Sequence, residues 1–398
     1  MADEARSPTT ISSVLYGGAH LFDAKAPEKL LGVARAALER AHGDALLFAR
    51  TVGLSDESQA EVLLARVRAN LRVESMCIDF EDGYGPRPQE EAEADAKRAA
   101  IELAALGDDG PVVGIRIRSV GTPAQDEDQL LAATRTLDRF VGTLVDVRGS
   151  LPRGFTVTLP KVQDVLQVES LELALGLSER ALQLTPGSIG IELMVETPRA
   201  LIGADGRVPL GAFVDAARGR CVAAHLGAYD LTASMGIAAI DQSLAHPLCD
   251  LARATMQMAI GDRVVVVDGA TTTLPVGNDV EKIRHAWKLH ASNVRRALAM
   301  GIGRGWDLHP AQLVARCGAL HAFYLDARES MTTRLSRFVE TESRAMRSGQ
   351  TFDDAATGRG LAAFFLRGHA CGALSDDDVA KTGRSTDELL ALLAGSTA

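Results

Sequence analysis

Aromatic side chains make up only 4% of the 398 residues, too few for the stacking platforms that hold single-stranded nucleic acid. Positive charge is not in surplus either. Lys and Arg number 42 against 52 Asp and Glu, a formal net charge of −10, which disfavours a binder of phosphate backbones. No apolar run approaches the ~18 residues that span a bilayer. The opening MADEARSPTT lacks the basic-then-apolar pattern of a signal peptide. The expectation is a soluble, cytoplasmic protein with neither nucleic acid nor membrane among its partners. Cysteine is also sparse. Cys77, Cys221, Cys249, Cys317 and Cys371 are scattered and never in CxxC spacing, so they read as buried thiols, with no disulfide framework or zinc site implied. Tandem repeats, heptads and low-complexity tracts are missing too.

What is present is alternation. Segments rich in Val, Ile and Leu fall at 13–19, 75–82, 112–118, 155–161, 189–196, 221–230, 263–270 and 305–310. Each is followed by helical material, such as Glu90 to Leu106 and Asp279 to Met300. Near-continuous apolar strands alternating with helices are the pattern of parallel βα units, and eight of them predict an α/β fold, a closed (β/α)8 TIM barrel. An open doubly wound sheet is the alternative, but it normally carries a Gly-rich first turn, and GGAH at Gly17 to His20 is not GxGxxG. The segment Asp44 to Leu71 reads as an extra strand and helix inserted between the first two units. The expected organisation is a disordered N-terminus over 1–12, a barrel catalytic domain over 13–325 and a C-terminal helical extension over 326–398, whose Leu361, Phe364, Phe365 and Leu366 need a surface to cover.

In such a barrel the chemistry sits at the C-terminal mouth. The residues closing the strands are consistently ionisable: His20, Glu81, Asp82, Arg116, Arg118, Lys161, Glu196, Asp230, Asp268 and His309. Two carboxylates, Glu196 and Asp230, end neighbouring strands without Cys or His beside them in sequence. That pairing suits a hard cation, Mg²⁺ or Mn²⁺; a solvated or helix-capping role is the alternative, above all for Asp230. Glu192, four residues earlier on the same face, is the rival ligand, about 13 Å deeper at 3.3 Å per residue. Arg116 offers a guanidinium fork to a carboxylate, or else a salt bridge to Glu81 or Asp82. Gly227, beside Ala228 in HLGAYD, serves either the close approach of a ligand or a tight bend.

Seven motifs follow in order: DFEDGYG from Asp79, GIRIRS from Gly114, LPKV from Leu159, ETPRAL from Glu196, HLGAYDLTASMG from His225, VVDGA from Val266 and LHPAQ from Leu308. Over roughly residues 13 to 325 the chain resembles the HpcH/HpaI aldolase and citrate lyase β-subunit superfamily, which includes malyl-CoA and citramalyl-CoA lyases. The resemblance implies a metal-dependent barrel lyase that makes or breaks a carbon–carbon bond next to a pyruvate or oxo-acid unit. It also implies Glu196 and Asp230 on the metal, Arg116 on the ligand carboxylate, and Glu81 and Asp82 behind them. Gly227, Ala228 and Lys161 would line the substrate, and His20 is the acid/base candidate. A homo-oligomer is expected.

The opening VLYGGAHLF lacks the Phe-Val-Pro pattern common in acyl-CoA members, and ADGRVPL lengthens the stretch between Glu196 and Asp230. No adenine or pantetheine pattern accompanies the motifs. The expected substrate is therefore the small anionic oxo acid itself, with a CoA thioester as the alternative form. Other readings are a Schiff-base aldolase through Lys161, a phosphoenolpyruvate-utilising transferase on the same barrel, and a non-catalytic binding barrel.

Overall fold

The computed structural model describes residues 11–121, 127–348 and 355–394. Residues 1–10 of the segment expected to be disordered lie outside the described residues, while the Ser12 N–H and hydroxyl both donate to Glu74, at 2.6 and 2.7 Å. Among the described residues no helix is long and apolar enough to cross a membrane.

Eight parallel strands close into a barrel in sequence order. They are β1 Ser13–Gly18, β2 Ser75–Asp79, β3 Val112–Arg116 and β4 Thr156–Leu159, then β5 Gly190–Val195, β6 Cys221–Leu226, β7 Val265–Asp268 and β8 Arg304–Asp307. Because side chains alternate along a strand, each strand divides its residues between helices and lumen. Leu15, Ile78, Ile115, Val157, Leu193 and Leu226 join the large core beneath the helices. Val14, Tyr16, Cys77, Met194 and Trp306 form a small cluster of their own. Filling both faces with apolar groups is what makes the strands read as unbroken hydrophobic runs.

One irregularity governs which residues of β6 face inward. Ile191 pairs with Cys221 but Glu192 pairs with Ala223, so Val222 is an extra, unpaired residue, a β-bulge. Cys221, Ala224 and Leu226 can then all pack outward, while His225 turns inward to stand 3.2 Å from Glu192.

The insertion between β1 and β2 holds helices at both ends and no strand. Ala45–Val52 and Ala60–Asn70 are α-helical, which corrects the expected extra strand. Asp44 caps the first of these, accepting from the Leu47 N–H at 2.7 Å, and Gly53 ends it in the left-handed region at φ 84°. Its apolar run is one helical face, with Phe48 edge-on to Trp287 of the Val280–Ala299 helix. Trp287 is fully buried and donates its indole N–H to the Ala311 carbonyl at 2.8 Å. Burying a side chain of that size contributes about 2–3 kcal/mol.

The helix after β8, Gln312–Ser348, runs without a break across the expected boundary at 325. Together with Tyr324, the extension beyond it forms a second core of Leu335, Phe338, Leu361, Phe365 and Leu366. Arg66 of the insertion ties this core down through the Ala373 carbonyl and, at 3.0 Å, Asp378.

Candidate active site

β2 ends on Asp79, buried at the mouth and facing β3. Arg116, the last residue of β3, places Nε 2.7 Å from Asp79 Oδ1 and Nη2 2.5 Å from Oδ2, and its guanidinium lies 5.3 Å from the centre of the Tyr16 ring. The remaining Nη1 is 3.4 Å from Glu81 and 3.5 Å from Asp82. The fork expected to face a ligand, or else Glu81 or Asp82, is thus occupied by Asp79. Asp79 also organises the loop that follows, accepting from the Glu81 N–H at 2.9 Å and the Gly83 N–H at 2.7 Å. A Cβ on Gly83 would lie 2.6 Å from the Asp79 carboxylate, so the glycine is what lets the loop fold over it. Asp79 opens the DFEDGYG motif but is not among the site residues expected from the sequence. Its place two residues after lumen-facing Cys77 was the available signal.

Lys161 follows β4 with φ at 53°. Its ammonium pairs with Glu81 and, at 3.2 Å, with Asp82, while its backbone N–H donates to Glu196 Oε1 at 2.7 Å. Burial disfavours the ammonium, but the two carboxylates outweigh burial and hold its pKa above the ordinary lysine value. Burial also pushes Glu81 up to about 7, reinforced by Asp82 and opposed by Arg116 and Lys161. For Asp82 the balance is reversed: burial raises it, but Glu81, Arg116 and Lys161 bring it below the usual carboxylate range.

Glu196 follows β5 directly and is buried. Thr197 holds the turn beyond it, donating to the Val162 carbonyl at 3.0 Å and accepting from the Ala200 N–H at 3.1 Å. Burial, then the charge of Asp230, pushes the Glu196 pKa up to about 8. Asp230 does not close β6, as the sequence suggested; β6 stops at Leu226, and Asp230 occupies the first turn of the Ala228–Ser234 helix, where the cap residue is Gly227 and no side chain caps. Gly227 makes room for the carboxylate, since a Cβ there would lie 2.3 Å from Glu196 Cβ and 2.5 Å from its Oε2. Ala228 is buried beside it.

The residues fit a hard divalent cation in a limited sense. Among the described residues there is no group of three or more His, Cys, Asp or Glu that could hold a metal. A cation that keeps waters and takes substrate oxygens needs only one or two carboxylates. Glu196 and Asp230 would supply that pair, with Gly227 leaving room for Glu196, and a bound cation would relieve the repulsion between them.

Glu192 is committed elsewhere. It lies one level down in the lumen, accepting from Thr158 at 3.1 Å, near His225 at 3.2 Å and Arg304 at 3.4 Å. Burial raises its pKa, but these partners prevail and bring it down to about 2.

His20 sits in the turn Ala19–Leu21, 5.6 Å from the Tyr84 ring, with a buried Nδ1 that has no hydrogen-bond partner. Two other strand-end residues belong to the scaffold. Asp268 points out to Arg253, whose Nε is at 2.7 Å, and His309 Nδ1 accepts from the Ala311 N–H at 3.2 Å.

No curated protein matches the chain. Solved structures similar to it include Haloferax volcanii malate synthase in its magnesium/glyoxylate complex, 16% identical with a TM-score of 0.48, covering 77% of this chain and 75% of that one. The lead(II) complex of the same protein is 13% identical, with a TM-score of 0.49 and coverage of 98% and 99%. The CitE protein of Mycobacterium tuberculosis in complex with magnesium, acetoacetate and coenzyme A is 18% identical, with a TM-score of 0.49 and coverage of 92% and 99%. Over residues 3–395 the sequence matches one family model, and the chain belongs to that family, described as a domain of unknown function, DUF6986.

Proposed function

We propose that the chain is a divalent-cation-dependent carbon–carbon lyase or aldolase acting on a small oxo or hydroxy acid, with Mg²⁺ or Mn²⁺ as the cation. The observation that carries this reading is a buried Glu196 at the mouth, given room by Gly227, with the charge of Asp230 close enough to add to burial in raising its pKa. The motif order that resembles the HpcH/HpaI and citrate lyase β-subunit superfamily supports it.

Cleavage moves a proton and an electron pair. The substrate hydroxyl gives its proton to a base, the electrons of the breaking bond pass into the oxo-acid half, and that carbon then regains a proton. Glu81, poised near neutrality, has the pKa a proton carrier needs, with His20 the second candidate. Arg116 and Lys161 set the charge balance of the acidic loop, and Gly227, with no Cβ, leaves space for the Glu196 carboxylate beside buried Ala228. A bound Mg²⁺ or Mn²⁺ supplies positive charge against the enolate oxygen that develops. Against a Schiff base at Lys161 stands its pairing with two carboxylates, which keeps the amine protonated.

The test is release of pyruvate from a 4-hydroxy-2-oxo acid. Turnover should vanish in EDTA, return with Mg²⁺ or Mn²⁺, and survive borohydride added with substrate. EDTA-insensitive turnover, or borohydride trapping at Lys161, overturns the reading.

A further inference from the structure

Around the mouth, three cations have their charge taken up: Arg116 by Asp79, Lys161 by Glu81 and Asp82, and Arg87 by Glu91. Arg118 does not. It follows Arg116 by two residues, and strand pairing continues past β3, the Ile117 N–H donating to the Thr158 carbonyl at 3.3 Å. Ile117 packs outward in the core beneath the helices, so Arg118 stays on the lumen side with Arg116. A rise of about 3.3 Å per residue puts its Cα roughly 6.6 Å beyond that of Arg116, at the rim.

Its side chain is held without being neutralised. Arg118 Nη2 donates to the Arg87 carbonyl at 2.9 Å, and Arg87 Nε in turn donates to the Tyr84 carbonyl at 3.1 Å. One N–H is thereby tethered to the loop after β2, and among the described residues no carboxylate stands within ion-pair distance of Arg118. A half-buried guanidinium fixed by a neutral carbonyl keeps its charge and most of its donors for an incoming anion. The Arg116 fork cannot serve in its place, being closed by Asp79 at 2.7 and 2.5 Å.

We propose that Arg118 anchors a second carboxylate of the substrate, so that the site takes a dicarboxylic oxo acid. This rests on the lyase reading above, in which the oxo-acid end lies at Glu196 and Asp230. A monocarboxylic acid of the same length leaves the Arg118 charge unanswered.

The test compares 2-oxoglutarate with 2-oxovalerate, five-carbon oxo acids that differ in the far carboxylate, by calorimetry on the full chain with Mg²⁺. The wild type should bind 2-oxoglutarate about tenfold to a hundredfold more tightly, the range of a charged hydrogen bond. Arg118→Gln should erase that preference and leave 2-oxovalerate binding unchanged. Arg118→Lys, which keeps the charge but loses the fork, should show an intermediate preference and serves if Arg118→Gln folds poorly. Equal losses for both acids, or no loss for either, overturns the assignment while leaving the lyase reading in place. A wild type that binds neither acid in Mg²⁺ overturns both.

Discussion

Arg116 and Asp79 close on each other at the barrel mouth through two hydrogen bonds, Nε to Oδ1 at 2.7 Å and Nη2 to Oδ2 at 2.5 Å. Both side chains are almost inaccessible, 3% and 1% exposed. Removing one partner of a buried pair strands the other's charge, at a cost of about 3–5 kcal/mol. Asp79→Asn should therefore lower the urea midpoint strongly. Asp82→Asn, at a carboxylate 54% exposed, should cost under about 1 kcal/mol. Similar midpoints for the two variants would mean that the Asp79 pair is not what holds this corner.

The charge on Glu196 makes the protein's stability depend on pH and cation together. Its pKa in the folded chain, about 8, lies above the ordinary 4.5. The associated stability is complete below 4.5 and is lost as pH rises through about 8. In EDTA the denaturation midpoint should therefore fall between pH 6 and pH 9, and Mg²⁺ should restore most of the loss at the upper end. Glu196→Gln should flatten the profile and remove the Mg²⁺ effect. A wild-type profile already flat in EDTA would count against the pairing of Glu196 with Asp230.

Glu192 should behave in the opposite way. Its folded pKa, about 2 against an ordinary 4.5, gives stability that is present above 4.5 and lost as pH falls through about 2. Glu192→Gln should weaken the fold by roughly 3 kcal/mol, because the Arg304 guanidinium loses its counter-charge. Mg²⁺ affinity, read by calorimetry, should stay as it was. A loss of Mg²⁺ binding in this variant alone would move the cation deeper into the lumen.

Gly227→Ala tests the space around Glu196. The backbone there, at φ −93°, accepts any residue, so the effect is one of contact: the new methyl would stand 2.3 Å from Glu196 Cβ. Overpacking should cost about 1–3 kcal/mol, with Mg²⁺ affinity falling about tenfold or more as the carboxylate is displaced. Unchanged Mg²⁺ binding would detach Gly227 from the candidate metal pair.

The barrel could be read from the sequence because two-sided burial writes β1 to β8 as apolar runs with polar ends. Local conformation was harder to read. LLFARTVG from Leu46 to Gly53 is apolar enough for a strand, and only the Asp44 cap and the Gly53 stop make it a helix. HLGAYD does not show where β6 yields to a helix, so the sequence places Asp230 at a strand end. Asp268 looked equivalent to Glu196, yet it faces outward to Arg253, because which way a strand-end residue points depends on the register of its neighbours. For Arg116 the sequence offers a ligand carboxylate or, as the alternative, Glu81 or Asp82 of the loop. The partner is Asp79, on the strand itself, where alternation fixes its direction.

The bulge at Val222 gives β6 a parity. Upstream of it the odd-numbered Cys221 packs outward; downstream the odd-numbered His225 turns inward and the even-numbered Ala224 and Leu226 pack outward. Deleting that one residue would leave Cys221 against Ile191 and Ala223 against Glu192 as an even ladder, with both faces kept relative to β5. One residue inserted between Ala223 and His225 would instead slip the ladder by one, driving His225 toward the helices and Gly227 away from Glu196. β6 therefore absorbs the loss of its one unpaired residue, whereas a further insertion between Ala223 and His225 would dismantle the mouth without altering any residue in it.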